Sequence, residues 1–154
     1  MISADVSKTL ESLKKAHAEI VRRMENMVRG FAYEFAMTAI SNTPLGDDVK
    51  YESLYKARTY LQPEAGFAQG SWQVSYVGSL QMQDVYSGSE ALSIVKSKMQ
   101  SYKLGQSFTI GNTGPYINML ENGYSDQAPT GIVKPTVDQV MNAYKINLVR
   151  YYKQ

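Results

Sequence analysis

Val6, Leu10, Leu13, His17, Ile20, Met24, Met27 and Phe31 follow one another at alternating spacings of four and three residues, and Phe35 extends the row. Apart from the histidine the row is apolar. Sustained over more than three heptads, this spacing predicts a long helix with one continuous seam. A helix over residues 4–40 would be about 54 Å long at 1.5 Å per residue. A compact domain of 154 residues has a radius of gyration of about 15 Å. The helix is therefore longer than its own domain is wide. Either it bends near Gly30, where glycine weakens a helix by about 1 kcal/mol relative to alanine, or a helix from another subunit packs on the seam. The plainer alternative is an ordinary amphipathic helix lying on the core of its own domain.

The charges on this helix alternate in sign. Lys8, Lys14, Lys15, Arg22, Arg23 and Arg29 are mixed with Glu11, Glu19, Glu25 and Glu34. That mixture favours a solvated, ion-paired face over a DNA track. The whole chain carries a formal net charge of +2, without the basic cluster of a dedicated nucleic-acid binder.

Asn42-Thr43-Pro44 should stop the helix, because the residue before proline avoids the helical region and proline cannot donate a hydrogen bond. Val49, Leu54, Tyr55, Ala57 and Leu61 can form a short second helix or belong to an extended surface arm, and Gln62 to Gly66 reads as a turn. Trp72, Val74 and Tyr76 alternate with Gln73 and Ser75 as in a half-buried strand. Leu80 to Tyr86 can pair with it as a hairpin across Gly78-Ser79. Ser87 and Glu90 have capping-box spacing before a helix carrying Leu92, Val95 and Met99, and Phe108 with Ile110 mark a third strand. Thr136 and Gln139 repeat that spacing at the start of a last helix, with Val137, Val140, Met141, Tyr144, Leu148 and Tyr151 on its apolar face. Lys145, Arg150 and Lys153 suit the C-terminal half of that helix.

The chain thus reads as one α+β domain over 1–154. It comprises a long helix over 1–41, a connecting arm over 42–70, and a sheet-and-helix body over 71–154 with a loop over 123–134. The sheet is expected to be small, mostly antiparallel, and three to four strands wide. At 44% hydrophobic, the sequence has enough apolar content for a core. With zero cysteines it excludes disulfides, thiolate metal sites and cysteine nucleophiles. No apolar run approaches a membrane span, and the N-terminus lacks a signal-peptide pattern.

A search for catalytic chemistry finds little. His17 is the sole histidine and falls on the seam, where it reads as a packed or hydrogen-bonded residue rather than a ligand or base. Asp47-Asp48 reads as solvated surface. Gly111-Asn112-Thr113-Gly114 lacks the lysine of a phosphate loop and reads as a strand-to-helix turn. No enzyme activity, metal or cofactor is expected.

The segment Asn112 to Val133 is more informative. Asn112 or Thr113 can cap a helix, Pro115 suits its first turn, and Gly123 can end it in the left-handed conformation. Tyr116, Ile117 and Leu120, with Met119 beside them, form its apolar face. Glu121 sits in the last turn, where the helix dipole disfavours negative charge, so it needs a partner. A loop of about ten residues follows, punctuated by Gly123, Pro129 and Gly131, longer than most connections in a compact domain.

The pattern Asn112, Pro115-Tyr116, Leu120-Glu121-x-Gly123, Ser125-x-Gln127-Ala128-Pro129-x-Gly131-Ile132-Val133 resembles the neck proteins that join head to tail in tailed bacteriophages. That family is also described as tail-completion or minor tail components. Asn42-Thr43-Pro44 and Gly70-Ser71-Trp72-Gln73-Val74 resemble the family's earlier landmarks in the same order, so the resemblance covers most of the chain. Family members commonly pass quickly from Thr-Pro into the Trp strand through a short turn, whereas here Leu45 to Gly66 intervenes.

The resemblance implies a structural virion subunit, present as copies of itself in a ring at the head-tail junction and assembled in the host cytoplasm. Its partners would be head-closure, portal-side and tail-terminator or tail-tube proteins, with packaged DNA passing nearby and no membrane. Two surfaces are the candidate interfaces. One is Tyr116, Glu121, Tyr124, Ser125, Gln127 and Pro129; the other is the seam residues Leu10, Leu13, His17, Ile20, Met24 and Met27. A tail terminator or tail-tube cap is the nearest alternative. A cellular coiled-coil dimer that binds a peptide or DNA is the alternative from another class.

Overall fold

The computed structural model describes residues 3–46, 65–76, 78–115 and 117–144, with side chains from Val6 onward. The expected helix over Val49 to Leu61, Asp47-Asp48, Tyr116 and the basic C-terminal residues Lys145 to Lys153 lie outside the described residues.

Helix α1 (Ser3–Asn42) is 40 residues long, about 60 Å, and stops just ahead of Pro44 as the sequence predicts. It runs unbroken through Gly30. The Phe31 ring meets Tyr144 edge-on at 5.5 Å, and a Cβ on Gly30 would lie 3.9 Å from the Tyr144 hydroxyl. Packing at this point offsets the helical cost of glycine. Beyond it, Ala32, Ala36 and Ala39 are fully buried, and these small side chains let α1 seat against the elements that follow.

A single helical turn, α2 (Phe67–Gly70), leads into β1 (Trp72–Ser75), then come α3 (Gly88–Gln100), β2 (Thr109–Asn112), α4 (Ile117–Glu121) and α5 (Val133–Ala143). The architecture is α+β. The described residues form a two-stranded antiparallel sheet in place of the three to four strands expected, with Trp72 opposite Asn112 and Ser75 opposite Thr109. The expected third strand is therefore the direct partner of the first, with α3 between them in sequence.

The hairpin expected across Gly78-Ser79 does not form. Residues 81–85 do run beside α2 and β1, but glutamine side chains replace a backbone ladder. Gln83 Nε2 donates to the carbonyls of Gly70 at 2.8 Å and Trp72 at 3.2 Å, and Gln73 Nε2 donates to the carbonyl of Gln81. These side-chain donors satisfy acceptors that a neighbouring strand's amides would otherwise serve. The approach is close enough that a Cβ on Gly70 would lie 1.9 Å from the Val85 carbonyl oxygen. Gln73 is consequently buried rather than solvent-facing, and its amide also reaches Thr113 Oγ1 at 3.0 Å.

Two groups of buried side chains hold the body together. Ala39, Ile40, Phe67, Trp72, Leu120 and Ile132 belong to one, and Ala32, Ala36, Val74, Val95, Met99 and Tyr102 to the other. The face of α3 that carries Ala91, Val95 and Met99 packs on α1 and β1. Neither expected capping box forms. Ser87 does occupy the N-cap of α3 but makes no side-chain cap bond; its hydroxyl lies 2.8 Å from that of Ser89. Thr136 lies inside α5 and donates to the Ile132 carbonyl at 2.7 Å.

Candidate functional site

Most residues that carry the neck-protein resemblance are ties within the fold. Thr43 Oγ1 donates to the Ala39 carbonyl at 2.6 Å and accepts the Trp72 indole N–H at 2.8 Å. The Thr43 carbonyl accepts from Gln69 Nε2 at 2.8 Å. The end of α1 is thereby fastened to the strand entrance. Asn42 Nδ2 reaches Thr136 Oγ1 at 3.0 Å and Gln139 Oε1 at 3.3 Å, which fastens the same end to α5. Asn112 is not a helix cap. Its amide donates to the Ala68 carbonyl at 2.6 Å, and its side-chain oxygen accepts the Gly114 amide at 2.8 Å, closing the strand-to-helix turn.

Helix α4 ends in a Schellman motif. The Tyr124 amide bonds the Met119 carbonyl and the Gly123 amide bonds the Leu120 carbonyl, both at 3.1 Å, with Gly123 at φ +76°. A Cβ on Gly123 would lie 2.5 Å from the Pro129 carbonyl oxygen, so the loop folds back onto the helix end. Inside the loop, Ser125 accepts from Gln127 and Ala128, and Gly131 N donates to Ala128. Ala128 and Ile132 anchor the loop in the core.

Glu121 finds its partner within this chain. One carboxylate oxygen, Oε2, accepts the amides of Ile132 and Val133, each at 2.9 Å. These are the unpaired donors at the start of α5, where the helix dipole favours negative charge. A carboxylate poorly placed on its own helix thus caps the next one. Gly131, at φ +79°, permits the closure, since a Cβ there would meet the Glu121 carbonyl oxygen at 2.5 Å. The outward side of this braced loop presents Tyr124, which is 78% exposed, together with Gln127 and Pro129; Ser125 is half-buried. Met119, adjacent to Tyr124 through their backbone bond, is also exposed.

The second surface is the seam. Leu10, Leu13, Ile20, Met24 and Met27 are between 43% and 62% exposed, and His17 is exposed among them. The body first grips α1 at Glu25 and Arg29. Arg29 Nη2 donates to the Tyr102 carbonyl at 2.7 Å and pairs with Glu25 at 3.3 Å, while Glu25 Oε1 accepts the Leu104 amide at 3.2 Å. N-terminal to this socket, about 33 Å of helix stands clear of the described body. Its flanks are laced by ion pairs, Glu11 to Lys15 at 2.8 Å and Glu19 to Arg22 and Arg23 at 2.9 and 2.7 Å. The two guanidinium groups, hydrogen-bonded to Glu19, hold its carboxyl down to about 2.

Sequence reasoning singled out the seam and Glu121 as interface candidates. It missed the socket, because Arg29 and Glu25 reach backbone groups more than 70 residues away. Among the described residues no three His, Cys, Asp or Glu side chains gather to hold a metal ion, and no helix is long and apolar enough to cross a membrane. No protein-family model, no curated protein and no solved structure matches this chain.

Proposed function

We propose that this chain is a structural subunit of the neck of a tailed bacteriophage, one copy in a ring that joins the DNA-filled head to the tail. The observation that carries the reading is a braced α+β body bearing a helical arm whose apolar seam its own described body leaves uncovered. A continuous exposed apolar seam of this kind marks a surface that another surface covers. The resemblance carried by Asn112 to Val133 supplies the virion context. The chain works by shape and contact, without catalysis. The arm engages neighbours in the neck, and the exposed side of the loop at Tyr124, Gln127 and Pro129 docks on an adjoining ring. Within this reading Glu121 acts indirectly, by holding the loop in its docking shape.

Electron microscopy of particles made when a nonsense mutation silences the gene tests this. Filled heads and finished tails accumulating separately are expected; intact infectious particles would overturn it. The uncovered seam equally suits a cellular coiled-coil binding module, which is the reading that intact particles would promote. Immunolabelling of isolated heads and tails separates a neck subunit from a tail terminator.

A further inference from the structure

The partner of the seam can be named more closely. We infer that the arm pairs with the arm of a second copy of this chain, the two helices parallel and in register, with His17 facing the partner's His17. The inference rests on the assembly reading above and specifies its contact.

Three observations carry it. The first is reach. From Val6 to Met27 the seam runs about 31 Å at helical rise. At its C-terminal end Phe31 is already met by Tyr144, which caps the end of α5. The described body leaves Leu13, Leu10 and Val6, further toward the N-terminus, more than half exposed.

The second is area. Six apolar side chains left about half exposed amount to on the order of 300–600 Å² per arm. Doubled across two copies, with Val21 and the stems of Lys14 and Arg23 alongside, the pair buries about 1,000 Å². That reaches the lower end of specific association. The seam is also turned roughly a quarter to a third of a turn away from the row of Ala32, Ala36 and Ala39 that faces the body, so the body leaves room for a second helix.

The third is charge and polarity along the seam. Leu10, His17 and Met24 fall at heptad position a, and Val6, Leu13, Ile20 and Met27 at d. In a parallel pair Lys14 lies beside the partner's Thr9 and Arg23 beside the partner's Val28, so no like charges meet. The antiparallel overlap that covers the same stretch sets Lys14 against the partner's Lys14 and buries His17 against the partner's Leu13. The next antiparallel register sets the partner's Val6 on Phe31, which Tyr144 occupies. The parallel register alone stacks imidazole on imidazole, so His17 serves as the polar layer that selects alignment at a cost in affinity.

Sedimentation equilibrium of the full chain over micromolar to hundred-micromolar concentrations tests this. The expected result is a reversible dimer that Leu13→Lys weakens at least a hundredfold while the thermal melt of the body is unchanged. His17→Leu should tighten it at least tenfold. Because the chain has no cysteine, Leu10→Cys under mild oxidation should give a covalent dimer, as only parallel arms bring those positions together. A monomer at every concentration, a dimer indifferent to Leu13→Lys, or a Leu10→Cys dimer that fails to cross-link would each overturn the inference. These solution results are independent of the particle phenotype, so failure of the pairing and failure of the neck reading are told apart.

Discussion

Replacing Glu121 with alanine should destabilise the isolated protein by about 2 kcal/mol. The substitution frees two amides. Ile132 is fully buried, and a buried donor left without an acceptor costs about 1–3 kcal/mol. The bond to Val133 lies at an exposed site, where water can replace it at little cost. Loss of negative charge at the start of α5 costs a further 0.3–1 kcal/mol or so. Relief of the same charge at the end of α4 returns a similar amount. The buried Ile132 amide therefore decides the outcome. For a domain of this size 1 kcal/mol moves Tm by about 2–4 °C, so Glu121→Ala should melt about 4–8 °C lower by far-UV circular dichroism. Glu121→Gln keeps an acceptor oxygen and should lose less than half of that. A Glu121→Ala melt within 1 °C of the parent would refute the capping argument. An assembly defect in Glu121→Gln with a near-normal melt would place a contact of the carboxylate outside the chain.

Thr43→Val keeps the side-chain volume but leaves the buried Trp72 indole N–H without its acceptor, and should cost about 1–3 kcal/mol in urea denaturation; an unchanged midpoint would show the bond contributes nothing. Gly70→Ala forces a Cβ onto the Val85 carbonyl and should cost about 1–3 kcal/mol as overpacking, so a neutral result would mean that residues 81–85 lie further from α2. Glu19 has a folded pKa lowered from 4.5 to about 2 by Arg22 and Arg23. Its contribution to the arm is fully present above pH 4.5 and is lost as the pH falls toward 2. Carboxyl NMR should therefore place its midpoint near 2, and a midpoint at 4.5 would show that these ion pairs do not persist in solution.

Legibility in the sequence followed the range of the interactions. Helix α1 and its stop were readable because a 3.5-residue period and Pro44 are local signals. The strands at Trp72 and Ile110 were readable as strands. Their pairing was not, since the nearest extended stretch in sequence was Leu80 to Tyr86 and nothing local shows that Gln73 and Gln83 will occupy the backbone carbonyls. The start of α5 was misplaced by about three residues because Thr136 and Gln139 imitate a cap, while the residue that caps lies 11 positions before Ile132. Even so, Glu121 announced itself through its unfavourable position on α4. The seam was legible as a pattern. Its exposure was not, because a period records which side chains share a face and not what covers them. In the isolated chain, Leu13→Ala accordingly carries little of the 2–5 kcal/mol a buried leucine would lose.

Asn42 is bonded to residues 94 and 97 positions later in the chain, and this sets an order of events during synthesis. The arm leaves the ribosome first, and the bonds that tie its C-terminal end to α5 cannot both close until Gln139 has been made. At elongation rates of about 5–20 residues per second, that interval lasts about 5–20 s. Helix formation and encounter between chains tethered to one message are far faster. If the arms pair as inferred above, those of neighbouring nascent chains have time to meet before α5 is seated, and the pairing would be decided on the polysome.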